Sequence, residues 1–136
     1  MSECVVVRAG ASARGATGLD YFAGISAANA GASQLCLQIV HLPPGARAKA
    51  HLHAEHESAL YVLRGRVGTW YGKRLEHYVE TGPGDFLFVP AGVPHLPVNL
   101  SDAEPAEAVV ARSDPNEQES VVHLPELDDL PHLRPR

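Results

Sequence analysis

The stretch that decides the fold is "GDFLFVPAGVPHLPVN", residues 84–99. It contains the strand-like run "DFLFVP" and all but the last residue of a second run, "HLPVNL" (95–100), and their apolar and aromatic side chains suit a pleated sheet. Between them, "PAGVP" at residues 90–94 excludes a helix because its prolines and glycine interrupt one. Gly84 and Gly92 are expected to lie in turns that require a positive φ. The segment therefore predicts two strands joined by a tight bend.

The remainder of the chain repeats this pattern of short apolar runs separated by glycine, proline and acidic turns, which is typical of an all-β protein. Strands are predicted at residues 4–8, 33–42, 48–53, 59–65, 66–72, 75–80, 85–90, 95–100, 106–112 and 120–124. Residues 10–33, rich in small side chains, are expected to form a covering loop, and residues from about 125 to 136 a frayed tail. The 136 residues thus predict one all-β domain, a sandwich or barrel.

Composition excludes several classes of function. The net charge is −5 and the eleven Lys and Arg are scattered, so no basic surface is expected to bind nucleic acid. No apolar run approaches the roughly 18 residues that span a bilayer, and the N-terminus lacks the features of a signal peptide. A cytoplasmic location follows as the expectation. Cys4 and Cys36 are then expected to be free thiols, with Cys36 in a buried strand.

A second stretch, "HLHAEHES" at residues 51–58, carries three of the eight histidines. Because side chains alternate along a strand, His51 and His53 are predicted to point to the same side and reach one ion. His95 follows the rigid "PAGVP" bend, which would direct it from a neighbouring strand. Three imidazoles of this kind suit Fe, Ni, Cu, Zn or Mn and leave coordination positions open for water or a substrate.

The two stretches together resemble the cupin superfamily. Its second motif, G-x5-P-x-G-x2-H-x3-N, is matched by Gly84, Pro90, Gly92, His95 and Asn99; its first, G-x5-H-x-H-x(3–4)-E-x6-G, is matched by Gly45, His51, His53 and Gly65. The resemblance implies a double-stranded β-helix (jelly-roll) barrel that holds one divalent transition-metal ion and takes a small-molecule ligand or substrate. It also implies a homodimer, for which the runs at residues 4–8 and 120–124 are candidate pairing edges.

The acidic position of the first motif leaves three alternatives open. With the six intervening residues that the motif requires before Gly65, the acidic position falls on Ser58, and Glu57 stands one position early. In the first alternative Glu57 completes a three-histidine, one-glutamate site, with the extra residue absorbed by a β-bulge. In the second, Ser58 faces a site of three histidines only. In the third, His56 supplies a fourth imidazole. The first is preferred, so the predicted ligands are His51, His53, Glu57 and His95, with His56 as the alternative to Glu57.

Fold alone does not determine function in this superfamily. The favoured hypothesis is a metal-dependent enzyme, dioxygenase-like or related, that acts on a small organic substrate; no catalytic residue is assigned. A metal-tuned binding or sensing module, for example for a carbohydrate, is the alternative, and a sugar isomerase or epimerase is the third. The aromatic residues Tyr61, Trp70, Phe86 and Phe88 are expected to line the barrel or its core.

Overall fold

A computed structural model of the chain describes residues 3–8, 13–14, 18–116 and 120–133. Within these ranges the chain forms eleven strands, one helical turn, α1 (Ala27–Ala30), and two short 3₁₀ turns (Pro125–Leu127 and Pro131–Leu133). The strands are β1 (Ala13–Arg14), β2 (Asp20–Ile25), β3 (Cys36–Leu42), β4 (His51–His53), β5 (Ser58–Arg64), β6 (Val67–Tyr71), β7 (His77–Thr81), β8 (Phe86–Val89), β9 (His95–Asn99), β10 (Ala106–Arg112) and β11 (Val121–His123). In this part of the chain, helices are too short or too polar to cross a membrane.

The strands form two antiparallel sheets. The six-stranded sheet has the order β1-β2-β3-β10-β5-β8 and the five-stranded sheet the order β11-β4-β9-β6-β7. β10 lies between β3 and β5 in the six-stranded sheet, and every second residue from Ala106 to Arg112 is buried. This alternation is what a strand requires when one of its faces packs against the interior. The non-consecutive order within each sheet is that of a jelly roll, and the predicted all-β barrel is therefore confirmed.

Among the described residues, two clusters of buried apolar side chains are found. One contains Ala50, Trp70, Leu75, Leu96, Leu127 and Leu133. The other contains Leu19, Leu42, Ala48, Val67 and Ala106. Trp70 and Val67 belong to β6 and Leu96 to β9, while Ala50 directly precedes β4. The clusters fix the positions of the strands that carry the histidines.

Two predicted elements differ from the observed ones near the N-terminus. The predicted strand at residues 4–8 is wrong, because residues 3–8 have no strand pairing and Val5 and Val6 are exposed. Within the segment expected to be a covering loop, Asp20–Ile25 forms β2 and pairs with β3. Residues 9–12 and 15–17 lie outside the described residues. The segment thus covers the edge of β3 by adding strands to the sheet.

The C-terminal segment also differs from the expected frayed tail, because residues 125–133 pack on the barrel. Leu127 and Leu133 are buried, with 4% and 2% of their surface exposed. The Asp128 carboxylate accepts a hydrogen bond from the Ala50 amide at 2.7 Å. The Arg47 guanidinium donates to the main-chain oxygens of Asp128 and, at 3.2 Å, of Leu133. Alternating proline and leucine in a polar sequence gave no strand or helix period, so this packing was not predictable from pattern. Residues 134–136 lie outside the described residues.

Leu127→Ala is expected to destabilise the protein by about 2–4 kcal/mol, because it removes a buried side chain from a packed cluster. Chemical denaturation followed by circular dichroism measures the free energy of unfolding. Glu126→Ala, at an exposed neighbouring position, is the control and should change that free energy by less than about 0.5 kcal/mol. Equal effects of the two substitutions would show that the tail does not contribute to the core.

Candidate metal centre

The strands place three histidines against one another between the two sheets. His51 and His53 are two residues apart on β4 and are both buried, as the alternation predicted. β9 pairs with β4 so that His95 lies directly opposite His51. The ring centroids of His51 and His95 are 4.3 Å apart, and His53 lies 5.2 Å from the first and 5.5 Å from the second. One potential ligand atom from each ring lies within 4.8 Å of the other two.

The bend before β9 hydrogen-bonds the end of β4, so it connects the two strands that carry the histidines. Gly92 has a φ of 78°, and its amide donates to the main-chain oxygen of His53 at 2.8 Å. Gly84, at the other predicted turn, has a φ of 90°. Both glycines therefore adopt the left-handed conformation expected from sequence. The contact between Gly92 and His53 holds the start of β9 beside β4, which is how two motifs far apart in sequence form one site.

Hydrogen bonds orient two of the three rings. Nδ1 of His51 donates to the main-chain oxygen of Lys49 at 2.7 Å, and Nδ1 of His95 donates to that of Val93 at 2.9 Å. With the proton on Nδ1, the lone pair of each neutral ring is on Nε2. Nδ1 of His53 is buried and has no hydrogen-bond partner among the described residues. Three imidazole donors, two of them oriented by carbonyls and one with an unpaired buried nitrogen, fit a transition-metal ion.

The electrostatics of the cluster keep these rings neutral. Burial lowers the pKa of His51 to about 2, and the nearby His95 is the next cause. Burial also lowers the pKa of His53 to about 3, followed by the positive charge of Arg112. The pKa of His95 is lowered mainly by burial. The neutral imidazole is the form that binds a metal, so no proton has to be removed from the rings at neutral pH.

Glu57, the preferred fourth ligand, does not lie beside the three histidines in the structure. Glu57 is exposed and is not part of the histidine cluster. Its main-chain amide and oxygen instead hydrogen-bond Ser113, each at 3.2 Å. A register shift in the pairing of β5 with β10 leaves Leu63 as an extra residue between Ser58 and Gly65. The strand thus contains an irregularity where a bulge was expected, but Glu57 is still not brought to the histidines.

His56, the alternative fourth ligand, has its own partners outside the cluster. Its Nδ1 lies 3.0 Å from Ser120 Oγ and 3.4 Å from a carboxylate oxygen of the buried Asp114. Ser58, in contrast, is buried at the start of β5 and lines the cavity beside the histidines. Its Oγ accepts a hydrogen bond from Arg112 Nε at 3.1 Å. Of the three open alternatives, this arrangement corresponds to a three-histidine site faced by a serine.

The histidines line a cavity of about 90 Å³ between the sheets. Most of its wall is apolar, from residues such as Val67, Val89 and Val110. The polar side chains near the histidines include Gln38, Ser58, Thr69 and Arg112. Gln38 and Arg112 were not predicted as site residues from the sequence. Both are at buried positions, on β3 and β10, where buried and more exposed residues alternate. A polar residue in the inward phase of a strand is the signal that could have identified them.

The aromatic residues are placed differently from the expectation. Trp70 is buried in the core, as expected. Tyr61, Phe86 and Phe88 are on the outer face of the six-stranded sheet and are 38%, 76% and 58% exposed. The expectation that these three line the interior is wrong, because Val62 and Val89 occupy the buried phase of β5 and β8. The exposed rings therefore form part of a surface and not of the cavity.

These features define a class of protein: an antiparallel jelly-roll barrel with an inward-facing histidine cluster. A family model described as Cupin domain matches residues 38–112, more than half of the chain, and the chain belongs to the cupin family. Among curated proteins, no match to the sequence is found. The match includes all three histidines of the cluster together with Ser58 and Arg112.

Solved structures show the same fold. A conserved protein of Klebsiella pneumoniae with a double-stranded β-helix domain is 16% identical, with a TM-score of 0.63 over 77% of this chain and 83% of the other. Oxalate decarboxylase of Lactobacillus farciminis is 18% identical, with a TM-score of 0.69 over 84% of this chain but only 33% of the other. A sugar phosphate isomerase of the cupin superfamily from Silicibacter pomeroyi is 28% identical, with a TM-score of 0.56 over 68% and 59% of the two chains. At such identity the first two likenesses show the fold alone.

Proposed function

We propose that the chain binds one divalent transition-metal ion through His51, His53 and His95 and that it catalyses metal-dependent chemistry on a small organic substrate. The observation that carries the proposal is the convergence of three neutral, buried imidazoles on a cavity wall, with one potential ligand atom from each ring within 4.8 Å of the other two. When bound, such an ion would act as a Lewis acid or redox centre for a substrate oxygen. Fe, Ni, Mn, Zn and Cu all accept imidazole donors.

The residues of the chain have separate roles in this proposal. The Lys49 and Val93 carbonyls hold His51 and His95 with Nε2 available as the donor atom. The apolar cavity wall excludes water from the reacting groups, which strengthens electrostatic interactions inside it. Thr69 and Gln38 belong to the cavity wall, and their side chains can hydrogen-bond a bound molecule.

The proposed ligand set is the three histidines without Glu57 or His56. Glu57→Ala and His56→Ala are each expected to retain at least about 80% of the wild-type metal content, since neither side chain belongs to the cluster. Elemental analysis of dialysed protein, divided by protein concentration, measures this. Ser58→Ala is a matched control at the position facing the cavity and should also retain metal. Loss of more than half the metal in the Glu57 or His56 variant would assign that residue as a ligand.

Turnover distinguishes an enzyme from a binding module. Fe²⁺-loaded protein is incubated with a panel of small organic acids, diketones, catechols and flavonols while oxygen uptake is recorded and products are analysed by mass spectrometry. Substrate consumption that is absent in His95→Ala supports the enzyme. Saturable binding of a panel member without consumption would instead assign the chain to the binding or sensing class.

The proposal includes two further properties. The exposed side chains Tyr61, Leu63, Phe86 and Phe88 lie on the neighbouring strands β5 and β8, and β8 is an edge of its sheet. A two-fold axis would bring such a patch against its own copy and bury it, so we propose a homodimer through this face. A cytoplasmic location of a single 1–136 domain is also proposed, because Cys4 and Cys36 form no disulfide in the part of the chain that the structure describes, as is typical of a reducing compartment.

A further inference from the structure

One peptide group joins the His51 ring to a carboxylate of the C-terminal segment. The Lys49 carbonyl accepts a hydrogen bond from Nδ1 of His51 at 2.7 Å. The N–H of the same peptide group, on Ala50, donates to the Asp128 carboxylate at 2.7 Å. Because a trans peptide group is planar, with its oxygen and its N–H on opposite sides, both bonds are made by one rigid unit. Asp128, this peptide group and His51 therefore form a continuous chain of hydrogen bonds.

The Asp128 carboxylate is held in place by the contacts of its own segment. The main-chain amide of Asp128 donates to the Pro125 oxygen at 3.2 Å, and its main-chain oxygen accepts from the Arg47 guanidinium. The preceding residue, Leu127, is buried in the cluster that also contains Ala50. Because these contacts fix the acceptor, Asp128 determines where the Ala50 amide lies.

The peptide group between Asp128 and His51 is itself fixed on both sides. Ala50 is completely buried, and its oxygen accepts a hydrogen bond from the Leu124 amide at 2.9 Å. Before it, the Ala48 amide donates to the Pro97 oxygen at 3.0 Å, and β11 pairs with all three residues of β4. The neighbouring strands thus hold the group that connects the carboxylate to the ring.

His95 is oriented by a carbonyl in the same way but without a carboxylate beyond it. Its Nδ1 donates to the Val93 oxygen at 2.9 Å. That carbonyl belongs to the peptide bond with Pro94, which has no N–H and cannot extend the chain of hydrogen bonds. Nδ1 of His53 has no hydrogen-bond partner among the described residues. Within the described part of the chain, His51 therefore differs from the other two histidines of the cluster.

A carboxylate at the end of such a chain strengthens the bonds along it. The charge-assisted hydrogen bond from the Ala50 amide to Asp128 polarises the peptide group and makes the Lys49 oxygen a stronger acceptor. A stronger bond to Nδ1 of His51 fixes the ring and raises the basicity of Nε2, the nitrogen that faces the other histidines' ligand atoms. Groups that act on a metal ligand from behind in this way typically change metal affinity by about 10- to 100-fold.

We propose that Asp128 is a positioning residue of the metal centre and that it acts on the ligand His51 through the Lys49–Ala50 peptide group. This inference rests on the proposed three-histidine site. Asp128 lies outside residues 38–112, the part of the chain that the cupin model matches. The C-terminal segment thus adds to the site a group that the shared cupin sequence does not contain.

The Zn²⁺ affinity of Asp128 variants tests the effect on the metal. Zn²⁺ is titrated into each protein in competition with a chromophoric chelator to give a Kd. In D128A the Kd is expected to rise by about tenfold, the lower end of the usual effect, because the carboxylate acts through a peptide group. In D128N, which keeps an acceptor oxygen and loses the charge, it is expected to rise by about threefold. D129A is the matched control: the Asp129 side chain is fully exposed, and the Kd should stay within about twofold of wild type.

Nuclear magnetic resonance of the imidazole Nδ1–H groups in metal-free protein tests the chain of hydrogen bonds directly. The His51 Nδ1–H resonance is expected to move upfield in D128A and less far in D128N, because a weaker hydrogen bond shields the proton. The His95 resonance is the internal reference and should stay in place, since no N–H lies beyond its carbonyl. Loss of stability alone would not move the first resonance and spare the second.

The outcomes separate this inference from the metal site. Failure of wild-type protein to bind Zn²⁺, or equal Zn²⁺ binding by wild type and by His51→Ala/His53→Ala, would overturn the proposed function. Normal Zn²⁺ binding by wild type, with a Kd of folded D128A within twofold of it or matched by an equal rise in D129A, would overturn only the role of Asp128. If circular dichroism shows that D128A does not fold, D128N decides: an unmoved His51 resonance contradicts the proposal.

Discussion

The variant His51→Ala/His53→Ala is expected to contain less than about one tenth of the transition metal bound by wild type when both are purified without added metal. The two side chains supply two of the three nitrogens that converge in the cavity, and one remaining imidazole does not hold an ion against dialysis. Elemental analysis per mole of protein measures the difference.

A matched double variant controls for the removal of histidines as such. His77→Ala/His123→Ala removes two exposed histidines that are not in the cluster, and it should retain the wild-type metal content. Thermal melting of both variants checks that the barrel is folded. Equal and low metal in wild type and in His51→Ala/His53→Ala would remove the basis for a metal centre.

Phe86→Asp/Phe88→Asp is expected to convert the proposed dimer to a monomer. The two rings are 76% and 58% exposed on β8, and a two-fold interface would bury two copies of each. Since burial of one phenylalanine contributes about 1.5–3 kcal/mol, removal of four and introduction of four charges should weaken association by at least about a thousandfold. Sedimentation velocity over a range of concentrations measures the change in mass.

The control for this prediction lies on the other sheet. Val122 is 42% exposed on the edge strand β11, within the run that sequence had suggested as a pairing edge. Val122→Asp should leave the dimer intact. A wild-type protein that sediments as a single chain would contradict the dimer, and dissociation by Val122→Asp alone would place the interface at β11 instead.

The sequence predicted the fold and the three histidines because these depend on spacing. Period-two alternation and the Pro-Gly bend define the strands and their turns. His51 and His53 lie on one face because a single residue, Leu52, separates them. The Pro-Gly bend indicated that His95 comes from a neighbouring strand, but its pairing opposite His51 is not encoded in local pattern and was indicated by the resemblance to a known motif. The motif spacing was therefore the decisive information.

What the sequence could not predict depends on tertiary contacts. Glu57 and Ser58 are adjacent, and only the pairing of β5 with its neighbours decides which of them meets the cavity. The sequence alone does not show which alternate residues of β10 face the interior, so it could not show that the Arg112 side chain does. Leu127 and Leu133 pack on the barrel in a segment whose main chain accepts hydrogen bonds from Arg47. The local sequence does not predict this long-range contact. In each case a long-range contact overrides the local signal.

The most direct test of the three-histidine site is anomalous diffraction from crystals of protein purified without added metal, with data collected on both sides of the absorption edge of the metal found by elemental analysis. The account predicts one anomalous peak per chain at about 2.0–2.2 Å from Nε2 of His51, Nε2 of His95 and a nitrogen of His53, with no carboxylate of the chain bound to it. A peak coordinated by Glu57 or His56, or no peak at these histidines in metal-containing crystals, would contradict it.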